Sequence, residues 1–313
     1  MFVNVFRCLL AAMLCEFATG SIAAEPQIPH IGPVGEIVKV HGGFMFTEGP
    51  AADAEGNVYF SDIPNNRINK VNAAGKLSVF REPSNHTNGT MFNAAGELFC
   101  CEMDGRITAV SADGKTVRPL AETYQGKRFN APNDLVIDRS GGVYFTDPHF
   151  RAPDPLPQGV TAVYYISSEG KVSRLLDDLK APNGVILSPD EKTLYVIPSQ
   201  QEEMMAYPVE GPGKLGEGRV FCRLKQAEGK SGTGGDGLTI DSKGNLYITS
   251  GLGLQVFNPE GKLLGIIAFP EQPANVTFGG KDFKTLYVTA RTSLYKAPME
   301  AVGHVFPGGK HKN

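Results

Sequence analysis

The sequence predicts an all-β fold, a six-bladed β-propeller closed by an N-terminal strand. Three observations carry this. A polar residue followed 11 or 12 positions later by an aromatic one occurs six times. Each such unit holds β-branched and aromatic runs separated by Gly-containing turns, which suits strands rather than helices. The units start 40, 45, 50, 53 and 39 residues apart, the length of a four-stranded blade.

The first unit runs from Glu48-Gly49-Pro50 to Val58-Tyr59-Phe60-Ser61-Asp62, and the second from Asn88-Gly89-Thr90 to Leu98-Phe99. The third runs from Asn133-Asp134-Leu135 to Val143-Tyr144-Phe145-Thr146-Asp147, and the fourth from Asn183-Gly184-Val185 to Leu194-Tyr195. The fifth spans Asp236-Gly237-Leu238 to Leu246-Tyr247, and the sixth Asn275-Val276-Thr277 to Leu286-Tyr287. Within a unit the first strand follows the polar residue, as in Leu135-Val136-Ile137, and the aromatic sits in the second. Val163-Tyr164-Tyr165-Ile166 reads as a third strand, and the turn Ser168-Glu169-Gly170-Lys171 leads to a fourth. The last unit runs out of chain near Pro307-Gly308. Ile37-Val38-Lys39-Val40 is left over at the other end, so it should complete the sixth blade and remove the open sheet edge. Residues 25–313 are therefore read as one propeller.

Composition is that of an ordinary globular chain: 41% hydrophobic, 20% charged, net charge −3. No basic stripe is present, which argues against nucleic-acid binding. No HExxH, CxxC or GxSxG occurs, against zincin, thiol-redox and nucleophile-elbow chemistry. A serine triad built from distant residues stays open. Arg7 precedes the apolar run Cys8–Cys15, and small residues follow at Ser21-Ile22-Ala23-Ala24. Residues 1–24 are therefore read as an export signal, giving a periplasmic or secreted protein with no membrane association after cleavage. The three Cys beyond it, Cys100, Cys101 and Cys222, form no disulfide framework and read as small buried hydrophobes. Gly211-Pro212-Gly213-Lys214-Leu215-Gly216 matches GxGxxG by spacing but lacks a strand-to-helix context, so it reads as a loop.

In an up-and-down blade the turns after strands one and three share a face, and here they are short. The other face holds long, irregular segments: 81–88, 121–133, 148–161 and 222–236. Long loops on a rigid scaffold are where function sits. Glu48, Asn88, Asn133, Asn183, Asp236 and Asn275 begin the innermost strands and should ring the channel mouth on that face. An Asn before Gly is also an ordinary turn residue. Six oxygen-bearing side chains, two of them carboxylates, are harder to explain as turns, because unpaired carboxylates in a channel are costly. A hard cation offsets that cost. Oxygen donors with two negative charges favour Ca2+, and the lack of His and Cys at these positions disfavours Zn2+. Zn2+ and Mn2+ remain the alternatives to Ca2+.

Five stretches give a resemblance. Thr47-Glu48-Gly49-Pro50, Arg128-Phe129-Asn130-Ala131-Pro132-Asn133-Asp134, Tyr144-Phe145-Thr146-Asp147-Pro148, Ala181-Pro182-Asn183-Gly184 and Gly235-Asp236-Gly237-Leu238 resemble the gluconolactonase, regucalcin and senescence-marker-protein family. The likeness covers residues 34–300 in order. It implies a propeller with one divalent metal in the channel and hydrolysis of a small-molecule lactone of the gluconolactone type. By the same resemblance Glu48, Asn183 and Asp236 match metal ligands, Asn133 a residue at both metal and substrate, and Arg128 a substrate-contacting Arg. Asn88, Asn275 and the loop residue His149 are further substrate-side candidates. The chain departs from the family at His149, which replaces the second Pro of a common pair, and at Cys100-Cys101-Glu102.

The expected chemistry is attack of an activated water on a lactone carbonyl polarised by the ion. Asp236 is the candidate base. A carboxylate on a dication has a lowered pKa and makes a poor base, so Asp236 serves as base or only as ligand. Asp62 and Asp147 end second strands on the same face and could assist. Two other readings compete. A non-catalytic sugar- or partner-binding propeller would keep the calcium as a structural ion. An esterase or phosphotriesterase on the same scaffold would differ only in leaving group.

Overall fold

The computed structural model describes residues 28–307, and the expected leader at 1–24 lies outside them. Six four-stranded antiparallel blades are present. Blade 1 comprises Thr47–Ala52, Val58–Asp62, Arg67–Val71 and Leu77–Arg81, and blade 2 Thr87–Phe92, Leu98–Glu102, Arg106–Val110 and Val117–Ala121. Blade 3 comprises Leu135–Ile137, Val143–Asp147, Ala162–Ile166 and Val172–Leu176. Blade 4 comprises Pro182–Leu187, Thr193–Pro198, Glu203–Gly211 and Arg219–Arg223, and blade 5 Leu238–Ile240, Leu246–Ser250, Gly253–Phe257 and Leu263–Ile267. Blade 6 takes Pro273–Gly279, Thr285–Ala290 and Ser293–Pro298 from the end of the chain and Val38–Gly42 from its start. Val38 pairs with Lys296 and Gly42 with Ser293, so the ring closes as the sequence predicts. The closing strand begins one residue later than the leftover run and ends two later. The segment before it also packs: Ile28 and Ile31 are buried in the cluster that holds Val256, Val288 and Tyr295.

The turn between strands one and two explains the repeat. Asp53 Oδ1 accepts hydrogen bonds from the amides of Glu55 (3.0 Å) and Asn57 (2.9 Å). Asn93, Asp138 and Asp241 bracket their turns in the same way. A short polar side chain that caps amides two and four residues on fixes such a turn. The two units with 12-residue spacing have a longer turn, in which Glu191 (φ 59°) and Phe283 (φ 53°) take the left-handed position.

The aromatic of each second strand fills the space between blades. Tyr59 meets Phe92 of blade 2 edge-on at 4.9 Å, and Tyr247 meets Phe278 of blade 6 at 5.1 Å. Two residues beyond the aromatic stands a hydroxyl in four of the six blades: Ser61, Thr146, Thr249 and Thr289. Ser61 donates to the Asn88 carbonyl (2.6 Å), Thr146 to the Asn183 carbonyl (2.7 Å) and Thr249 to the Ala274 carbonyl (2.9 Å), each across to the next blade. Cys101 takes this place in blade 2, which accounts for the Cys-Cys pair; all three described cysteines are free and buried. The Gly211–Gly216 stretch is a small hairpin, Lys214–Leu215 pairing back on the third strand of blade 4.

Candidate active site at the channel mouth

Glu48, Asn88, Asn133, Asn183 and Asp236 line one cavity of about 550 Å³. Its walls come from the loops between second and third strands and from the links between blades, the face chosen from loop lengths. All five ring residues are buried, Glu48 at 3% exposure. Asn275 lies lower. It borders the narrow channel beneath the cavity together with Asp134. Its Oδ1 accepts the Val276 amide (2.8 Å), and its amide, close to Glu48 and Asp134, favours the charged form of both carboxyls.

The polar bonding at the floor is short of donors. Asp236 Oδ1 accepts from Asn183 Nδ2 (2.6 Å), which also donates to Ser199 Oγ (3.0 Å). Both hydrogens of the Asn183 amide are thereby committed, and its remaining polar atom is an oxygen acceptor. Glu48 Oε2 accepts the Gly49 amide (2.8 Å). Asn88 donates weakly to the Met103 sulfur at 3.9 Å, and its Oδ1 is buried with no partner. Only three buried side-chain polar atoms among the described residues are left so, and this one borders the cavity. Burial, reinforced by the Asp236 charge, pushes the Glu48 carboxyl well above the usual range. Burial also raises Asp236, opposed by the Asn183 bond and by Arg291. Asp134 is pushed up to about 7 by burial. Three buried carboxyls with few donors share one channel, and bringing all of them to the charged form is costly.

No group of three His, Cys, Asp or Glu side chains suited to a metal occurs among the described residues. A cation here would need amide oxygens beside Glu48 and Asp236. The partnerless Asn88 oxygen and the acceptor left on Asn183 fit a hard, oxygen-seeking ion.

Arg128 is exposed and does not line the cavity, and two of its guanidinium nitrogens are held by backbone. Nε donates to the Phe129 carbonyl (2.9 Å), and Nη2 to the carbonyls of Asn130 (2.9 Å) and Met103 (3.4 Å). It braces the loop that ends at Asn133. His149 is exposed, stacks on Phe150 and lies 3.4 Å from Gln200 Nε2. Asp62 and Asp147 are loop anchors. Asp62 Oδ1 accepts the amides of Met45 and Phe46, and Asp147 accepts those of Asn130 (2.8 Å) and Ala131 (2.8 Å). In blade 2 Glu102 holds the corresponding position, fully buried between Arg81, Asn85, Arg106 and Thr108.

Sequence reasoning missed Ser199, which orients Asn183, and the residues of the apolar wall, among them Phe46, Ile63, Met103 and Phe150. Ser199 follows the second strand of its blade by one residue, a position the repeat alignment could have flagged. Ile63 and Met103 hold that same position, four residues after the aromatic of their blades, whereas Phe46 and Phe150 share no register.

The glycine after Glu48 is required by close approach. Gly49 has φ +45°, and a Cβ there would sit 2.0 Å from the Asn88 carbonyl oxygen. Gly49→Ala is expected to destabilise the fold by about 3 kcal/mol or more, since strain and a blade-to-blade clash add. Denaturant titration checks it; a loss under about 1 kcal/mol would mean that the blades are not held this tightly.

The fold and site define a class: a six-bladed propeller with an acidic, amide-rimmed pocket over its central channel. Residues 46–292 match the SMP-30/Gluconolactonase/LRE-like region, and the chain belongs to that family. The chain is 28% identical to a gluconolactonase of Zymomonas mobilis, over 95% of this chain and 98% of the relative. It is 32% identical to the solved gluconolactonase of Xanthomonas campestris, with a TM-score of 0.77 and coverage of 84% of this chain and 89% of the other. A calcium-binding regucalcin from Agrobacterium tumefaciens shares the fold at 21% identity, with a TM-score of 0.75 over 88% of this chain and 97% of that one.

Proposed function

We propose that this protein is a metal-dependent lactone hydrolase acting at the channel mouth. The observation that carries the reading is the donor-poor floor: Glu48, Asp236 and the oxygens of Asn88 and Asn183, buried under an open cavity. Membership of a family with gluconolactonases supports it. Glu48, Asn133, Asn183 and Asp236 would hold a divalent cation, Ca2+ by donor type, which when bound supplies Lewis-acid polarisation of the lactone carbonyl. In the reaction the oxygen of a water adds to the carbonyl carbon, the ring C–O bond breaks, and the water proton ends on the departing ring oxygen, giving a hydroxy acid. Asp236 Oδ2, the oxygen not held by Asn183, is the atom that takes and returns that proton. Burial raises its basicity and a neighbouring cation lowers it. The two oppose each other and leave a carboxylate more basic than a cation alone would allow. Asn133 orients the ring, Asn88 adds its partnerless oxygen to the acceptors around ion and ring, and the rim loops exclude water. The leader-like residues 1–24 support export as part of the same proposal.

The test is pH-stat hydrolysis of a lactone panel with chelator, then with Ca2+, Zn2+ or Mn2+ restored. Turnover that needs the ion is expected. Chelator-resistant turnover would remove the metal from the reading, and no turnover under any ion would leave a binding propeller.

A pH effect follows from the buried carboxyls. Glu48, Asp134 and Asp236 have folded-state pKa values above ordinary ones. Between the two values the native state holds protons that the unfolded chain has released, so raising the pH favours unfolding. Stability of the stripped protein should fall as pH rises from about 4 to the Asp134 value of about 7. In chelator the melting temperature is expected to be higher at pH 5 than at pH 8, and calcium should narrow the gap. Identical melting at both pH values in chelator would contradict the carboxylate cluster.

A further inference from the structure

The cavity above the polar floor has two unlike walls. Blades 1 to 3 and their links supply Phe46, Ile63, Pro64, Met103 and Phe150, with Arg151 at the edge, while the opposite side presents Ser199, Ser250, Gln272 and the Gly234-Gly235 backbone. The apolar wall is packed from behind. Ile63 and Met103 are 6% and 4% exposed and cluster with Ala131, Phe46, Phe150 and Ala152. It is a fixed surface rather than a set of loose loop tips.

A polyhydroxylated lactone needs a hydrogen-bond partner for each hydroxyl it buries. Phe46, Ile63, Pro64, Met103 and Phe150 offer none beyond the Met103 sulfur, which already faces Asn88 Nδ2; the one strong donor on this side is Arg151, exposed at its edge. Arg128, the cation nearest in sequence to the ring residue Asn133, does not line the cavity, and its Nε and Nη2 are held by three backbone carbonyls. At about 550 Å³ the cavity is of the size that holds a whole small ligand, well beyond a single lactone ring.

We infer that the preferred substrate is a lactone carrying an apolar substituent. Its ring carbonyl faces Glu48, Asn133, Asn183 and Asp236, and its substituent lies on Phe46, Ile63, Pro64, Met103 and Phe150. This narrows the lactone reading above and rests on it.

The experiment compares kcat/KM of the full chain, with Ca2+, for δ-valerolactone, its propyl, pentyl and heptyl derivatives substituted at the carbon bearing the ring oxygen, and δ-gluconolactone. Each methylene covered by the wall should raise kcat/KM about fourfold, with δ-gluconolactone the poorest of the set. Phe46→Ser and Phe150→Ser, at half-buried positions, should flatten the dependence on chain length. Equal kcat/KM across chain lengths, or a preference for δ-gluconolactone, overturns the inference. Calorimetry with the matching δ-lactams separates it from the hydrolytic reading, because these keep the ring and carbonyl but resist opening. If no lactone is turned over, hydrolysis fails; lactam affinity that rises with chain length still establishes the apolar seat, and chain-independent affinity removes it.

Discussion

Asp236→Asn is expected to lower kcat/KM for lactone opening about a hundredfold or more, the scale of removing a principal electrostatic group from a buried site. It is also expected to abolish most of the calcium-dependent rise in melting temperature. The carboxylate supplies one of two negative charges at the floor, and its Oδ1 sets the Asn183 amide at 2.6 Å. An amide in its place can still accept the Asn183 bond through its oxygen but removes the charge and replaces the second carboxylate oxygen with an NH2 group. A ligand that binds only the native state raises stability in proportion to its occupancy, so scanning calorimetry with and without calcium reads the loss directly. Glu48→Gln should behave alike. Equal calcium shifts in wild type, Asp236→Asn and Glu48→Gln would rule out the pair as ion ligands, and full activity in Asp236→Asn would remove it from the chemistry.

Deleting residues 25–41 is expected to abolish cooperative unfolding. The cut removes Val38, Lys39, Val40 and His41 from the sixth blade and exposes the edge of Ser293–Pro298. It also takes Ile28 and Ile31 out of the core and removes the Lys39 charge that meets Glu271 at 2.8 Å. An open propeller has a sheet edge at the break and loses the blade-to-blade closure that makes the ring one unit. A melting transition of unchanged midpoint and sharpness would show that closure is not what holds the ring.

The blades were legible because their signals repeat. An Asp or Asn capping a tight turn, an aromatic between blades and a hydroxyl two residues on recur in register. Glu48, Asn88, Asn133, Asn183 and Asp236 fall in that register and meet in space. Asn275 falls in it too but sits a level lower, because its side chain turns to Glu48 and Asp134. The contacts of Arg128 could not be read, since which carbonyls a long side chain meets depends on how its loop folds back. The same holds for Glu102, where a longer acid replaces the Asp of other blades and gathers two arginines. Ile63 and Met103 share a repeat position four residues after the aromatic, but Phe46, Pro64 and Phe150 come from loops that differ between units, so no period announces the wall as a whole.

The hydroxyl tethers between blades carry a consequence for ancestry. Ser61 of blade 1 fixes the backbone of Asn88 in blade 2, and Thr146 of blade 3 that of Asn183 in blade 4. At these two places the unit of heredity is therefore offset from the unit of folding. Blade 2 or blade 4 copied or exchanged alone would bring its asparagine without the neighbour's hydroxyl that holds it. A duplication that preserves either asparagine's setting must carry the preceding blade with it, whereas Asn133 and Asp236, preceded by Cys101 and Ile197 at the hydroxyl position, lack that constraint.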